Sequence, residues 1–202
     1  MNSFTEENYL KAIYKVLEKG NQKVSTNAIA EIVDTAPASV TDMLKKLAAK
    51  KLIRYERYQG VSLTASGKKT AINIIRKHRL WELFLVEKLQ LKWDEVHEIA
   101  EQLEHIHSEL LVERLDSFLN YPMYDPHGDP IPDKFGKMPS PDSFPLSELK
   151  ETDKAIVAGV IDHTPEFLQH IEKIGLSLGK ELKVESKALE GATFIIHLPV
   201  YN

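Results

Sequence analysis

Between Phe4 and Thr64 the chain sets out apolar spacings in an order that few small domains can satisfy. Leu10, Ile13, Tyr14 and Leu17 fall at i, i+3, i+4 and i+7, one face of a helix over roughly residues 4–19 that stops at Gly20. Ser25 or Thr26 can cap a second helix reaching Val33, with Ile29, Ala30 and Ile32 as its apolar positions. Asp34-Thr35-Ala36-Pro37 makes a turn, and a third helix follows with Val40, Met43, Leu44 and Leu47 on one side. Leu52 to Thr64 then alternates about Gln59-Gly60, the pattern of a short hairpin.

Helix, helix, short turn, helix, hairpin is the order of a winged helix-turn-helix. Its third helix enters the major groove of double-stranded DNA while the hairpin lies along the backbone. Ala38 and Ser39 are small residues at the start of that helix, where base edges must come close. Thr35, Ala38, Ser39, Thr41, Asp42, Lys45, Lys46, Arg54 and Arg57 are the candidate DNA contacts. A helical domain whose polar face is merely solvated is the plainer alternative. Charge favours the first reading. Residues 1–70 carry 12 Lys/Arg against 7 Asp/Glu, a surplus of +5, whereas the remainder carries 14 against 23, or −9.

Thr64-Ala65-Ser66 is expected to cap a long helix to about Leu89, and Asp94 to open another to about Asn120. Residues 121–147 hold seven of the ten prolines, which predicts a linker or an irregular ordered loop. From Lys154 the pattern turns to strands, Ala155–Ile161, Leu182–Lys187 and Thr193–Leu198, with a short helix near Pro165–Ile174. There is no cysteine, which removes disulfides, zinc–thiolate sites and thiol catalysis. No apolar run approaches the ~20 residues of a membrane span. No signal peptide opens the sequence, so a cytoplasmic, bacterial-type protein is expected.

His97, Glu101, Glu104 and His105 fall at i, i+4, i+7 and i+8, so on one continuous helix they would point the same way, opposite Val96, Ile99, Leu103, Ile106 and Leu110. The preceding helix carries His78 and Glu82 one turn apart, on a stripe with Ile75 and Leu85 that turns them inward. Carboxylates and imidazoles so arranged can hold a first-row divalent metal. A solvated helix face and a simple His–Glu ion pair are the competing readings. His107 and His127 read as surface or packing histidines.

Three sets of residues make the chain resemble the diphtheria toxin repressor family of metal-dependent regulators. They are Arg76-Lys77-His78-Arg79-Leu80-Trp81-Glu82 with Val96-His97-Glu98 and Leu103-Glu104-His105; Glu7-Asn8-Tyr9-Leu10-Lys11-Ala12-Ile13-Tyr14; and Pro126-His127-Gly128-Asp129-Pro130-Ile131-Pro132. The resemblance covers nearly the whole chain. It implies a mainly α fold with a small β part: a winged helix-turn-helix over 1–64, a helical dimerisation and metal-binding domain over 65–140, and a linker with an SH3-like (FeoA-like) β-barrel over 141–202. The third domain ends soon after its third strand where the family continues, so the barrel is expected to be incomplete.

The resemblance also implies two metal sites per subunit. The regulatory one would take Asn8, Glu101, Glu104 and His105, and the ancillary one His78, Glu82 and His97, with Asp162 as the ligand from the third domain. Glu101 gives the hard oxygen of the manganese type, but Asn8 is neutral where that type has aspartate. Mn(II) is expected first and Fe(II) second. The implied protein is a homodimer that binds operator DNA when metal-loaded and represses metal-uptake genes. It would have no small organic substrate, no membrane partner and no enzyme activity. A metal-independent winged-helix regulator and a metal-dependent hydrolase are the alternatives.

Overall fold

The computed structural model describes residues 2–18, 20, 23–56, 59–140, 143–150, 153–187 and 191–196. The chain falls into two compact units that do not follow chain order. The first holds Met1–His78, Glu101–Val112 and Pro132–Lys137; the second holds Arg79–Ala100, Glu113–Ile131 and Met138–Asn202.

In the first unit α1 (Phe4–Glu18), α2 (Thr26–Ile32), α3 (Pro37–Ala49), β1 (Ile53–Glu56) and β2 (Gly60–Leu63) succeed one another in the expected order. Helix α1 opens on a reciprocal cap. The Ser3 N–H donates to Glu6 Oε2 at 2.8 Å, and the Glu6 N–H donates to Ser3 Oγ at 3.3 Å. Ser25 Oγ caps α2 by accepting from the Ala28 N–H. Asp34, with φ of 44°, makes the left-handed residue of the turn between α2 and α3, and the Thr35 N–H returns to the Ala30 carbonyl.

Leu10, Ile13, Val24, Ile29, Val40, Leu44, Leu47, Ile53 and Val61 form the core beneath this arrangement. Ile53 pairs with Leu63 and Glu56 with Gly60 across the antiparallel hairpin. Thr64 Oγ1 accepts from the Gly67 N–H and starts α4 (Ala65–Leu89). A Cβ on Gly67 would stand 1.9 Å from the Leu52 carbonyl oxygen, so glycine lets α4 press against the base of the hairpin.

The second helix of the metal-binding segment departs from expectation. Instead of one helix from Asp94 to Asn120 there are two, α5 (Val96–Leu103) and α6 (Glu109–Phe118). Ser108 causes the break. Its Oγ accepts from the Leu111 N–H and its carbonyl from the Val112 N–H, which starts a fresh helix. Glu104 and His105 therefore lie just past the end of α5, and the single four-residue ligand face does not exist. The apolar stripe divides with it: Val96 is buried while Leu110 is exposed.

In the second unit, β3 (Lys154–Ile156), α7 (Pro165–Lys173), β4 (Glu181–Lys187) and β5 (Gly191–Ile196) make an antiparallel sheet of order β3-β4-β5 with one helix. Among the described residues the sheet is open and closes no barrel, in keeping with the incomplete barrel expected. The first strand is shorter than Ala155–Ile161. After Val157 the backbone turns to the proline-rich segment, where the Val160 N–H donates to the His127 carbonyl at 2.9 Å. That segment is an ordered loop over its described part: Tyr124 bridges Pro130, and Asp125 Oδ1 accepts the N–H groups of His127 and Asp129. Gly128, at φ +89°, lies so close to the 158–159 backbone that a Cβ would meet the Ala158 oxygen at 2.2 Å. Backbone lying on backbone there fixes the position of His127. No helix among the described residues is long and apolar enough to cross a membrane.

Candidate metal centre and DNA-reading face

The expected DNA-contacting residues that are described lie in the first unit. Thr35, Ala38, Ser39, Asp42, Lys45, Lys46 and Arg54 are exposed, and Thr41 is half-buried with its hydroxyl bonded to the Pro37 carbonyl. Arg57 lies outside the described residues. Two of the lysines already have partners. Lys45 pairs with Asp42 at 2.9 Å, and Lys46 with Glu6 at 3.1 Å. Lys50 joins the same Glu6 at 2.7 Å. Burial alone would raise the Glu6 carboxyl. Lys50, the Ser3 N–H and Lys46 outweigh it and hold the carboxyl down at about 2. Glu6 thus ties the first turn of α1 to α3, the helix expected to read DNA.

One residue on, α1 meets the segment that follows α5. Glu7 is 4 % exposed, and its Oε2 lies 2.7 Å from His105 Nδ1. The Phe4 ring stacks on His105 with centroids 4.6 Å apart. His105 Nε2 faces Glu104 Oε1 at 3.8 Å. Two donors about 2.1 Å from a shared tetrahedral ion stand about 3.4 Å apart, so this pair fits a common cation. The other oxygen of Glu104 is 2.6 Å from both Lys11 Nζ and His78 Nδ1. Burial pushes the Glu104 carboxyl up, but His78 and Lys11 together bring it below the ordinary range.

Of the expected regulatory ligands, Glu104 and His105 are buried side by side. Glu101 is half exposed and shares Lys11 with Glu104, while Asn8 is exposed. Glu7 is the α1 carboxylate turned to His105. Sequence spacing overlooked Glu7 and Lys11 because charged residues are usually solvated. The one available signal was the apolar face of α1, which both residues flank.

Donors converge more closely around Glu82 in the second unit. Glu82 follows His78 by one turn of α4, and its Oε1 is 3.0 Å from His97 Nδ1. Donor atoms of Glu82, Asp125 and His127 gather within 4.8 Å of one another, all three side chains buried. His127 Nε2 is 2.8 Å from the Trp93 carbonyl, so this nitrogen carries the proton. The lone pair is then on Nδ1, which is buried with no hydrogen-bond partner among the described residues and faces Glu82 Oε2 at 3.8 Å. An imidazole whose proton-bearing nitrogen is held by a carbonyl while the other is bare is prepared for a metal. The ring does pack, between Trp93 and His163, but its buried Nδ1 goes beyond the packing role expected of it.

Burial, with the neighbouring charges of Glu82 and Asp129, pushes the Asp125 carboxyl up to about 8 in spite of Arg79. Asp162 is exposed. Its Oδ1 accepts the Thr164 N–H at 2.9 Å ahead of α7, and this hydrogen bond keeps its carboxyl below the ordinary value.

These features have counterparts in known proteins. Residues 2–61 match the iron-dependent repressor N-terminal DNA-binding domain. Residues 64–133 match the iron-dependent repressor metal-binding and dimerisation domain, and residues 144–199 the FeoA domain. The iron-dependent repressor IdeR of Mycobacterium tuberculosis is 32% identical over 95% of this chain and 88% of its own. The HTH-type transcriptional regulator MntR of Oceanobacillus iheyensis is 37% identical over 57% of this chain and 77% of its own. A solved manganese-dependent transcriptional repressor in complex with manganese superposes with a TM-score of 0.80 at 35% identity, covering 95% of this chain and 94% of that one. With this likeness running across all three segments, the chain belongs to the diphtheria toxin repressor family, the iron-dependent repressors, as a metal-dependent transcriptional regulator.

Proposed function

We propose that this chain is a homodimeric repressor of metal-uptake genes that binds a two-fold symmetric operator when loaded with Mn(II), or with Fe(II) as second choice. The observation that carries this reading is the buried junction of Glu7 and Lys11 on α1 with Glu104 and His105 beyond α5. It supports a link between metal occupancy and the DNA-reading face, since α1 is also tied to α3 through Glu6. The donors are oxygen and imidazole with no sulfur, a set suited to Mn(II) and less selectively to Fe(II).

The regulatory position is assigned to Glu101, Glu104 and His105, with Asn8 from α1. Glu7 is the second candidate from α1 because it already faces His105. A second position centres on Glu82. His78, His97 and Asp162 follow from the family pattern, and Asp125 and His127 are supported by their proximity to Glu82. A bound divalent ion would supply the positive charge that draws the regulatory donors together. Glu104 and His105 would orient that junction, and Glu6 would carry its position to Lys46 and Lys50. Exposed Phe118, Tyr121 and Met123 support a partner-covered surface after α6, as dimerisation requires.

Fluorescence anisotropy tests this reading. The probe is a labelled duplex selected from a random-sequence pool by the Mn(II)-loaded protein. Affinity is expected to rise about 5- to 150-fold from chelator to saturating Mn(II), the usual span of allosteric coupling. Equal affinity in both conditions would favour the metal-independent regulator.

A further inference from the structure

Lys11 is a charged residue in an improbable place. Its side chain is 6% exposed, and lysine is almost never so buried without partners. Its partners are specific: Nζ lies 2.6 Å from Glu104 Oε2, 3.7 Å from Glu101 Oε1 and 3.2 Å from His78 Nδ1. The two carboxylates are the ones assigned above to the regulatory metal. An ammonium has three N–H donors and no acceptor, so the 2.6 Å contact engages a lone pair of Glu104 that a metal would otherwise use, and the 3.7 Å approach sets its positive charge beside Glu101.

The surrounding charge is nearly balanced without any ion. Glu6, Glu7 and Glu104 are the buried acids of the first unit among the described residues, and Lys11, Arg76 and Lys77 its buried bases. Lys77 is occupied differently, its Nζ donating to the Ile106 carbonyl at 3.4 Å. Lys11 places its charge directly on the ligand carboxylates.

We propose that Lys11 is an internal competitor of the regulatory metal: its ammonium holds Glu104 and draws Glu101 in the metal-free chain and must give way when a divalent cation takes the two carboxylates. Two positive charges sharing one carboxylate pair repel at short range, so either the ammonium moves out or the ion binds weakly. In both cases Lys11 lowers affinity and so sets the metal concentration at which the protein responds. While no metal is bound, the same ammonium clamps α1 to the 101–104 segment. This inference rests on the regulatory reading of Glu101, Glu104 and His105.

Isothermal titration of the metal-free full chain with Mn(II) alone tests it, following the binding step that His105→Ala removes. If the clamp is closed about nine-tenths of the time, apparent affinity is reduced about tenfold. Lys11→Met and Lys11→Gln should each bind Mn(II) about tenfold more tightly than wild type, and should melt at a lower temperature without metal. Lys11→Arg, which keeps the charge, should bind as wild type does. Wild-type affinity or weaker in whichever neutral variant folds overturns the competitor role and leaves the regulatory site standing. A wild-type chain that takes up no Mn(II) overturns the regulatory reading and the competitor role together.

Discussion

Replacing His105 with alanine is expected to remove the metal-stimulated gain in DNA affinity, bringing a gain of about 5- to 150-fold down to about one. His105 is the side chain on which the junction converges. One ring nitrogen is 2.7 Å from Glu7 on α1 and the other 3.8 Å from Glu104. Alanine removes the imidazole donor and the contact with α1 together. The variant should remain folded, because His105 lies in the break between α5 and α6 rather than within a helix. Its direct cost is a buried Glu7 carboxylate deprived of its shortest partner, about 1–3 kcal/mol. Circular dichroism checks the fold, and anisotropy against the selected duplex, with and without Mn(II), checks the function. Undiminished stimulation in a folded variant would remove His105 from the regulatory site.

Asp125→Asn should have the opposite effect on the metal-free protein and stabilise it. Asp125 is buried beside Glu82 and Asp129, so its charge is unfavourable unless a cation arrives. Asparagine keeps an oxygen for the His127 and Asp129 N–H groups and takes up no proton on folding, a gain of about 1–3 kcal/mol at neutral pH. The pH dependence follows from the sign of the shift. The folded carboxyl titrates at about 8, above its ordinary 3.8, so between those values the native state binds the extra proton. Its contribution to stability is therefore greatest at low pH and declines as pH rises from about 4 through about 8. Thermal melts in chelator across that window should fall for wild type and flatten for the variant. Added Mn(II) should raise the wild-type melting temperature more than that of Asp125→Asn. A variant that melts lower in chelator, or gains as much from Mn(II), would contradict this assignment.

The head was legible in sequence because its apolar positions carry their period plainly. Leu10, Ile13, Val40, Leu44 and Leu47 fell where a helical core requires them, and all are buried. The body was harder because its decisive events are local hydrogen bonds. The unbroken apolar rhythm from Val96 to Leu110 hid the cap at Ser108, so Glu104 and His105 were drawn onto a helix that ends at Leu103. In α1, Glu6, Glu7 and Lys11 lie off the apolar spacing, yet each is buried by a partner distant in sequence. Such pairing has no periodic signature. His127 and Asp125 stand in a proline-rich loop whose course depends on Gly128 lying against residues 158–159, an approach that only folding reveals. The pairing of Glu82 with His97 was readable, since both sit on predicted helices and belong to a motif with an established order.

In the proposed mechanism one free energy couples the regulatory cation to DNA. Linkage makes that coupling reciprocal: if Mn(II) tightens DNA binding by some factor, DNA must tighten Mn(II) binding by the same factor. The direct measurement is the Mn(II) dissociation constant of the wild-type chain by titration, alone and with the selected duplex at saturation. The constant is expected to be tighter in the presence of DNA, by the factor found in anisotropy. An unchanged Mn(II) constant would mean that the Glu104–His105 junction does not report to the DNA-reading face.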